Sequence, residues 1–243
     1  MTFSNEFKYV SHKKKKRKEK KTVEWLFSRY EIQTEELIKS AFYYYVSNII
    51  SRMIFSRKLV KITRIVMLGL GSFENNLRSI TQLSFGIKIA NHIGFKGKIE
   101  AYDPVFTFTD CQFLKRLNIN YNLHDSLDFL YNAEKPVIFF MPHCPISLYD
   151  LLFKENWSPK RLCNIFLIGN CLKTYDLTIK NIKKKKYPFV FKASSVFESF
   201  EFSETFEQPE TFNNLAFQWC EKDIVGRVFD SNNDEYEIQS YKK

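Results

Sequence analysis

The chain has 243 residues, 44% of them hydrophobic, with 25 phenylalanines against only 7 glycines, and a formal net charge of +10. That length suits one α/β domain with peripheral additions, and the apolar content is enough for a sizeable core. Eight basic residues and one acidic residue fall between His12 and Lys21. Most of the excess charge therefore sits in one run, which argues against a whole domain built to hold a nucleic-acid backbone.

Five cysteines without paired spacing point to free thiols in a reducing compartment. The N-terminus lacks a secretory apolar stretch, and no apolar run approaches the roughly 18–20 residues of a bilayer span. A soluble intracellular protein is expected.

Residues 1–22 read as a basic, disordered tail. Its run of Lys13, Lys14, Lys15, Lys16, Arg17 and Lys18 is a candidate nuclear-import signal or weak polyanion contact, set against a plain solvated tail. Residues 23–60 form an N-terminal helical region. Thr34 looks like an N-cap followed by two acids, and Leu37, Ala41, Tyr44, Tyr45, Ile49 and Met53 recur near helical spacing as a core-facing stripe.

Residues 61–222 carry the α/β domain. Strands are expected at 64–68, 98–102, 119–123, 137–141 and 164–168. Helical segments lie between them at 75–92, around Phe113 to Leu117, at Leu127 and Leu130, and from Leu148 to Phe153. Residues 187–192 read as a further strand, 198–210 as an acidic, partly exposed stretch, and 211–220 as either helix or strand. Residues 223–243 form a polar C-terminal tail. The alternation predicts a Rossmann-like, doubly wound, mainly parallel sheet with helices on both faces. Right-handed crossovers then bring the strand C-termini to one edge.

Several polar clusters fall at those strand ends. Gly69-Leu-Gly71-Ser72 follows the first strand. Its glycines suit a tight turn at which the backbone approaches a ligand, and Ser72 is a candidate helix cap. Glu74 stands where the dinucleotide fingerprint has its third glycine, which disfavours a pyrophosphate there. The absence of GxxxxGK excludes a nucleoside-triphosphate loop. Asp103 ends the second strand, where an acid accepts from ribose hydroxyls, although Pro104 equally suits a simple turn.

His143 and Cys144 lie between Pro142 and Pro145. Neighbours in an extended segment point to opposite sides, so the two are not a nucleophile–base pair. A buried, hydrogen-bonded His143 is the plainer expectation. The alternative has it facing Asp103 or Cys171 across the rim. No ligand spacing supports a metal. Asn170, at the end of the fifth strand, can orient a ligand amide or a neighbouring loop.

Taken in order, these residues resemble the "sensitivity to red light reduced" (SRR-like) family. The matching pieces are Gly-Leu-Gly-Ser-Phe at 69–73, Gln82-Leu83, Tyr102-Asp103-Pro104-Val105-Phe106 and Phe140-Met141-Pro142-His143-Cys144-Pro145. They continue through Leu148-Tyr149, Asn156-Trp157, Ile168-Gly169-Asn170, Phe212-Asn213-Asn214 and Trp219. The chain departs from the family pattern at Leu123-His124-Asp125, at Cys171 and at Asn213-Asn214. The resemblance implies a regulatory protein of cytoplasm and nucleus, linked in plants to circadian and light signalling. Animal relatives are linked to haem biosynthesis and clock-gene expression, and fungal relatives to microtubule-related phenotypes. It implies no established catalysis and no known cofactor. Two readings stay open: a regulator that binds a ligand or a protein partner at the rim through Gly69, Gly71, Ser72, Asp103, His143, Cys144 and Asn170, and a cryptic nucleotide- or S-adenosylmethionine-dependent transferase.

Overall fold

The computed structural model describes residues 21–56, 61–121, 131–179, 181–202 and 206–221, with 223, 226 and 229. The basic run at 13–18, the helical turn expected at Leu127 and Leu130, and most of the C-terminal stretch lie outside the described residues.

Five strands run parallel: β1 (Arg64–Leu68), β2 (Ile99–Tyr102), β3 (Asn120–Tyr121), β4 (Val137–Met141) and β5 (Ile165–Asn170). With β6 (Phe197–Glu201) and β7 (Leu215–Cys220) they form a seven-stranded sheet in the order β3-β2-β1-β4-β5-β7-β6, with β7 antiparallel to both neighbours. The chain walks from β1 outward to β3, then returns across β1 to lay down β4. The C-terminal ends of β1 and β4 therefore flank a topological switch point, where open α/β sheets form a crevice.

Both faces of the sheet are buried, which explains the near-continuous apolar strands. Ile65 and Met67 face a layer made by α1 (Val23–Lys39), α2 (Ala41–Phe55), α3 (Leu77–His92) and α4 (Phe108–Arg116). Val66 and Leu68 face the other layer, which holds α5 (Ile146–Glu155), α6 (Pro159–Leu162), α7 (Leu172–Thr178) and α9 (Pro188–Val196), the last preceded by the short α8 (Asn181–Lys186). Among the described residues, no helix is long and apolar enough to cross a membrane.

The N-terminal region differs from the single helix expected after Thr34. Helix α1 starts at Val23, capped by Thr22, and Thr34 is buried in its middle, where its hydroxyl meets that of Ser84 at 2.7 Å. Ser40 ends α1 and caps α2 by accepting from the Tyr43 N–H. That break resets the helical phase. The inner face of α2 is Phe42, Val46, Ile50 and Ile54, while Tyr44 is 73% exposed.

Two further differences lie near the C-terminus. Residues 187–192 belong largely to α9, because Pro188 in the first turn sets a helical φ and Val190, Ala193 and Val196 then share one buried face. The acidic stretch after Glu198 is in part the edge strand β6, whose two glutamates, Glu198 and Glu201, are exposed. Residues 211–220 resolve into the end of a 3-10 turn at Pro209–Thr211 and the fully buried β7.

Candidate functional site

Beyond Leu68 the chain turns through Gly69 (φ +70°) and Gly71 (φ +76°). A Cβ at Gly69 would lie 2.4 Å from the Cys144 sulfur, so both the dihedral and the close approach require glycine. The turn is held from β2. The Asp103 carboxylate accepts from the Gly71 N–H at 2.7 Å and from the Val105 N–H at 3.0 Å. The Asx-type turn expected of Asp103-Pro104 is thus present, and the same side chain reaches the neighbouring loop.

A second carboxylate, overlooked from sequence, completes the hold. Asp110 on α4 is fully buried and accepts from the N–H groups of Phe73, Glu74 and Thr107 at 3.0, 3.1 and 2.9 Å. Thr107 caps α4 in return, forming a capping box with Asp110. Oriented N–H donors and the helix N-terminus offset the cost of burying this charge. Phe73 and Phe106, the last residues of their two motifs, stack with centroids 5.3 Å apart. The Glu74 side chain accepts from the Thr107 hydroxyl and is turned towards α4. Its acid therefore does not enter the space beside the glycine turn. Ser72 does not cap α3; Asn76 does, accepting from the Arg78 N–H at 3.0 Å. The Ser72 hydroxyl accepts from Asn75 instead.

The Pro-His-Cys-Pro segment leaves β4 in the opposite sense from that expected for His143. His143 takes a left-handed backbone, φ +54°, and this turns its imidazole outward while Cys144 points into the core. Its N–H donates to Asn170 Oδ1 at 2.9 Å, and its Nε2 lies 3.2 Å from the Thr211 carbonyl oxygen. Asn170 is occupied in holding this turn, since its Nδ2 donates to the Cys144 carbonyl and to the Tyr175 hydroxyl. Cys171 is a buried residue at the start of α7.

Cys144 is 3% exposed, and its thiol donates to the Leu68 carbonyl at 3.3 Å. Burial, reinforced by the Asp103 carboxylate, pushes that thiol up to about 12. It is therefore a protonated packing group beneath the glycine turn. Burial also raises the phenol of Tyr149, whose hydroxyl donates to the Met141 carbonyl.

A pocket of about 690 Å³ opens at this rim. Of the residues expected there, Gly69, Gly71, Asp103 and His143 line it, whereas Ser72, Cys144 and Asn170 stand behind its wall. Its other walls come from Asn76, Arg78 and Gln82 at the start of α3, Val105, Pro142, and Glu210 and Asn213 before β7. Gln82 donates to the same Thr211 carbonyl as His143, at 2.9 Å. Among the described residues, no group of His, Cys, Asp and Glu is placed to hold a metal ion.

Residues 34–219 match the family model of the SRR1 domain. The chain belongs to the SRR1 domain family. Protein SENSITIVITY TO RED LIGHT REDUCED 1 of Arabidopsis thaliana is 36% identical over 46% of this chain and 41% of its own length. An SRR1-like protein of Mus musculus is 28% identical over 53% of each chain. The chain spans about half the length of these relatives, or less. Among solved structures, SAH-bound methyltransferase PaMTH1 of Podospora anserina aligns with a TM-score of 0.40 and 10% identity over 81% of this chain and 87% of that one.

Two outcomes follow for stability. Replacing Asp110→Ala leaves three inward N–H groups without their acceptor, and equilibrium urea unfolding should show a loss of about 3–5 kcal/mol. For Cys144 the folded state holds its proton more tightly than the unfolded chain, whose thiol has the ordinary value of 9.0. Its contribution is full below pH 9 and is lost as pH rises from about 9 to about 12. Unfolding curves across that range should fall less steeply for Cys144→Ala than for the parent chain.

Proposed function

We propose that this chain is a regulatory protein that acts through a small nucleoside-bearing ligand held in the rim pocket. The observation that carries the reading is the pocket's position: about 690 Å³, at the switch point between β1 and β4, with the glycine turn on one side and Asp103 on the next strand. Pockets of this size suit small ligands and cofactors. The glycine turn gives close backbone approach, and an acid at the end of the adjacent strand is placed to accept ribose hydroxyls. Each Asp103 oxygen takes one backbone N–H, and each keeps a further acceptor site.

The wider role rests on family likeness. The SRR-like resemblance and the name of the Arabidopsis relative support a place in circadian or light-type signalling, or in the control of haem biosynthesis and clock-gene expression. That role fits a protein of cytoplasm and nucleus, with the run from Lys13 to Lys18 serving nuclear import or a weak polyanion contact. A protein partner would then read the ligand-bound rim.

The same glycine turn and Asp103 also favour a second reading, an S-adenosylmethionine-dependent transferase. Ligand titration with thermal unfolding tests both. S-adenosylmethionine, S-adenosylhomocysteine or NAD at a hundred times its dissociation constant should add about 2.7 kcal/mol of stability. His143→Ala should weaken that binding at least tenfold while keeping most of the fold's stability, because its side chain faces solvent. Transfer of a labelled methyl group to a protein or small acceptor would select the transferase. No stabilisation by any nucleoside-bearing compound would contradict the pocket's proposed use.

A further inference from the structure

The rim pocket contains an arginine, Arg78, whose ion pair is looser than that of Arg64 on β1. Arg64 grips Glu100 with two parallel bonds of 2.9 Å, one from Nε and one from Nη2, and both side chains are largely covered. That is a structural clamp. Arg78, in the first turn of α3, meets Glu210 through Nη1 alone, at 2.8 Å. The Arg78 side chain is 47% exposed and that of Glu210 is 77% exposed. An exposed single-bond pair contributes little and exchanges readily. The rest of the guanidinium fork has donors to spare in the geometry that suits a carboxylate or phosphate.

Both residues line the pocket, and Arg78 is its only lysine or arginine among the described lining residues. Glu74 is turned away towards Thr107 and does not line the pocket, and the Asp103 carboxylate that does line it is engaged by two backbone N–H groups. Glu210 lies in the 3-10 turn that ends at Thr211, whose carbonyl is bonded by Gln82 and faces His143. That turn packs against α3, which brings the Glu210 carboxylate to Arg78.

We propose that Arg78 is the anion-recognising residue of this pocket, and that Glu210 is an internal stand-in which an oxyanion on the ligand displaces. The ligand class is a nucleoside bearing a carboxylate or phosphate tail. This rests on the nucleoside reading of the pocket and adds the charge of the ligand and the residue that selects it.

Calorimetric titration of the full chain with adenosine, adenosine 5′-monophosphate and S-adenosylhomocysteine separates the possibilities. One or both tailed compounds should bind at least tenfold more tightly than adenosine, the stronger one identifying phosphate or carboxylate as the tail. Arg78→Ala should abolish that advantage without weakening adenosine, and added salt should erode it. Glu210→Gln should strengthen the tailed compound severalfold and leave adenosine unchanged. Thermal unfolding of both variants establishes that the fold persists, which the exposure of these side chains favours. Equal binding of all three compounds, or an advantage that survives Arg78→Ala, overturns the role of Arg78 alone. An unaltered affinity in Glu210→Gln overturns the stand-in role. Failure of adenosine and both tailed compounds to bind overturns the nucleoside reading and this inference with it.

Discussion

The rim depends on two carboxylates, one at each end of the loop that follows β2. Asp103 fastens Gly71, and Asp110 fastens Phe73 and Glu74, so the turn between β1 and α3 is tied to its neighbour by charge-assisted bonds from backbone N–H groups. A buried carboxylate acceptor shielded from bulk water holds such donors well. The consequence is a turn whose glycine dihedrals are fixed by the protein's own contacts.

Much of the family-like signature consists of residues that touch one another. Gly69 leaves room for Cys144, Gly71 bonds Asp103, Phe73 stacks on Phe106, and His143 bonds Asn170. These pairs join the ends of β1, β2, β4 and β5 into one unit. The side chains that face the pocket, by contrast, are a mixture of signature residues and others, with Arg78, Glu210 and Asn76 drawn from α3 and from the turn before β7. The framework and the pocket lining thus overlap at Gly69, Gly71, Asp103 and His143, while Arg78, Glu210 and Asn76 lie outside the signature.

The parallel strands and their shared rim were legible because buried apolar runs of four to six residues alternate with amphipathic segments. Strands β1 and β4 fall at the positions expected. The position of Asp103 beside the glycine turn followed from topology alone. Other features were hidden for identifiable reasons. The phase of α2 depends on Ser40, a single polar residue in a long helical pattern. The apolar run in α9 reads as strand unless Pro188 is taken as a helix start. The outward turn of His143 needs a left-handed dihedral that a non-glycine residue does not announce. Asp110 carried a readable signal, the Thr107-x-x-Asp110 capping pattern, but its partners lie on another loop and are visible only in three dimensions. The Arg78–Glu210 pair spans a sequence separation of 132 residues, beyond any local pattern.

The central claim is that backbone donors of the glycine turn are captured by buried carboxylates of the protein itself. Amide hydrogen exchange, read residue by residue by NMR, addresses it directly. The N–H groups of Gly71, Phe73 and Glu74 should exchange as slowly as those of the sheet interior. Exchange of these three at the rate of an open loop, while β1 and β4 stay protected, would contradict the account.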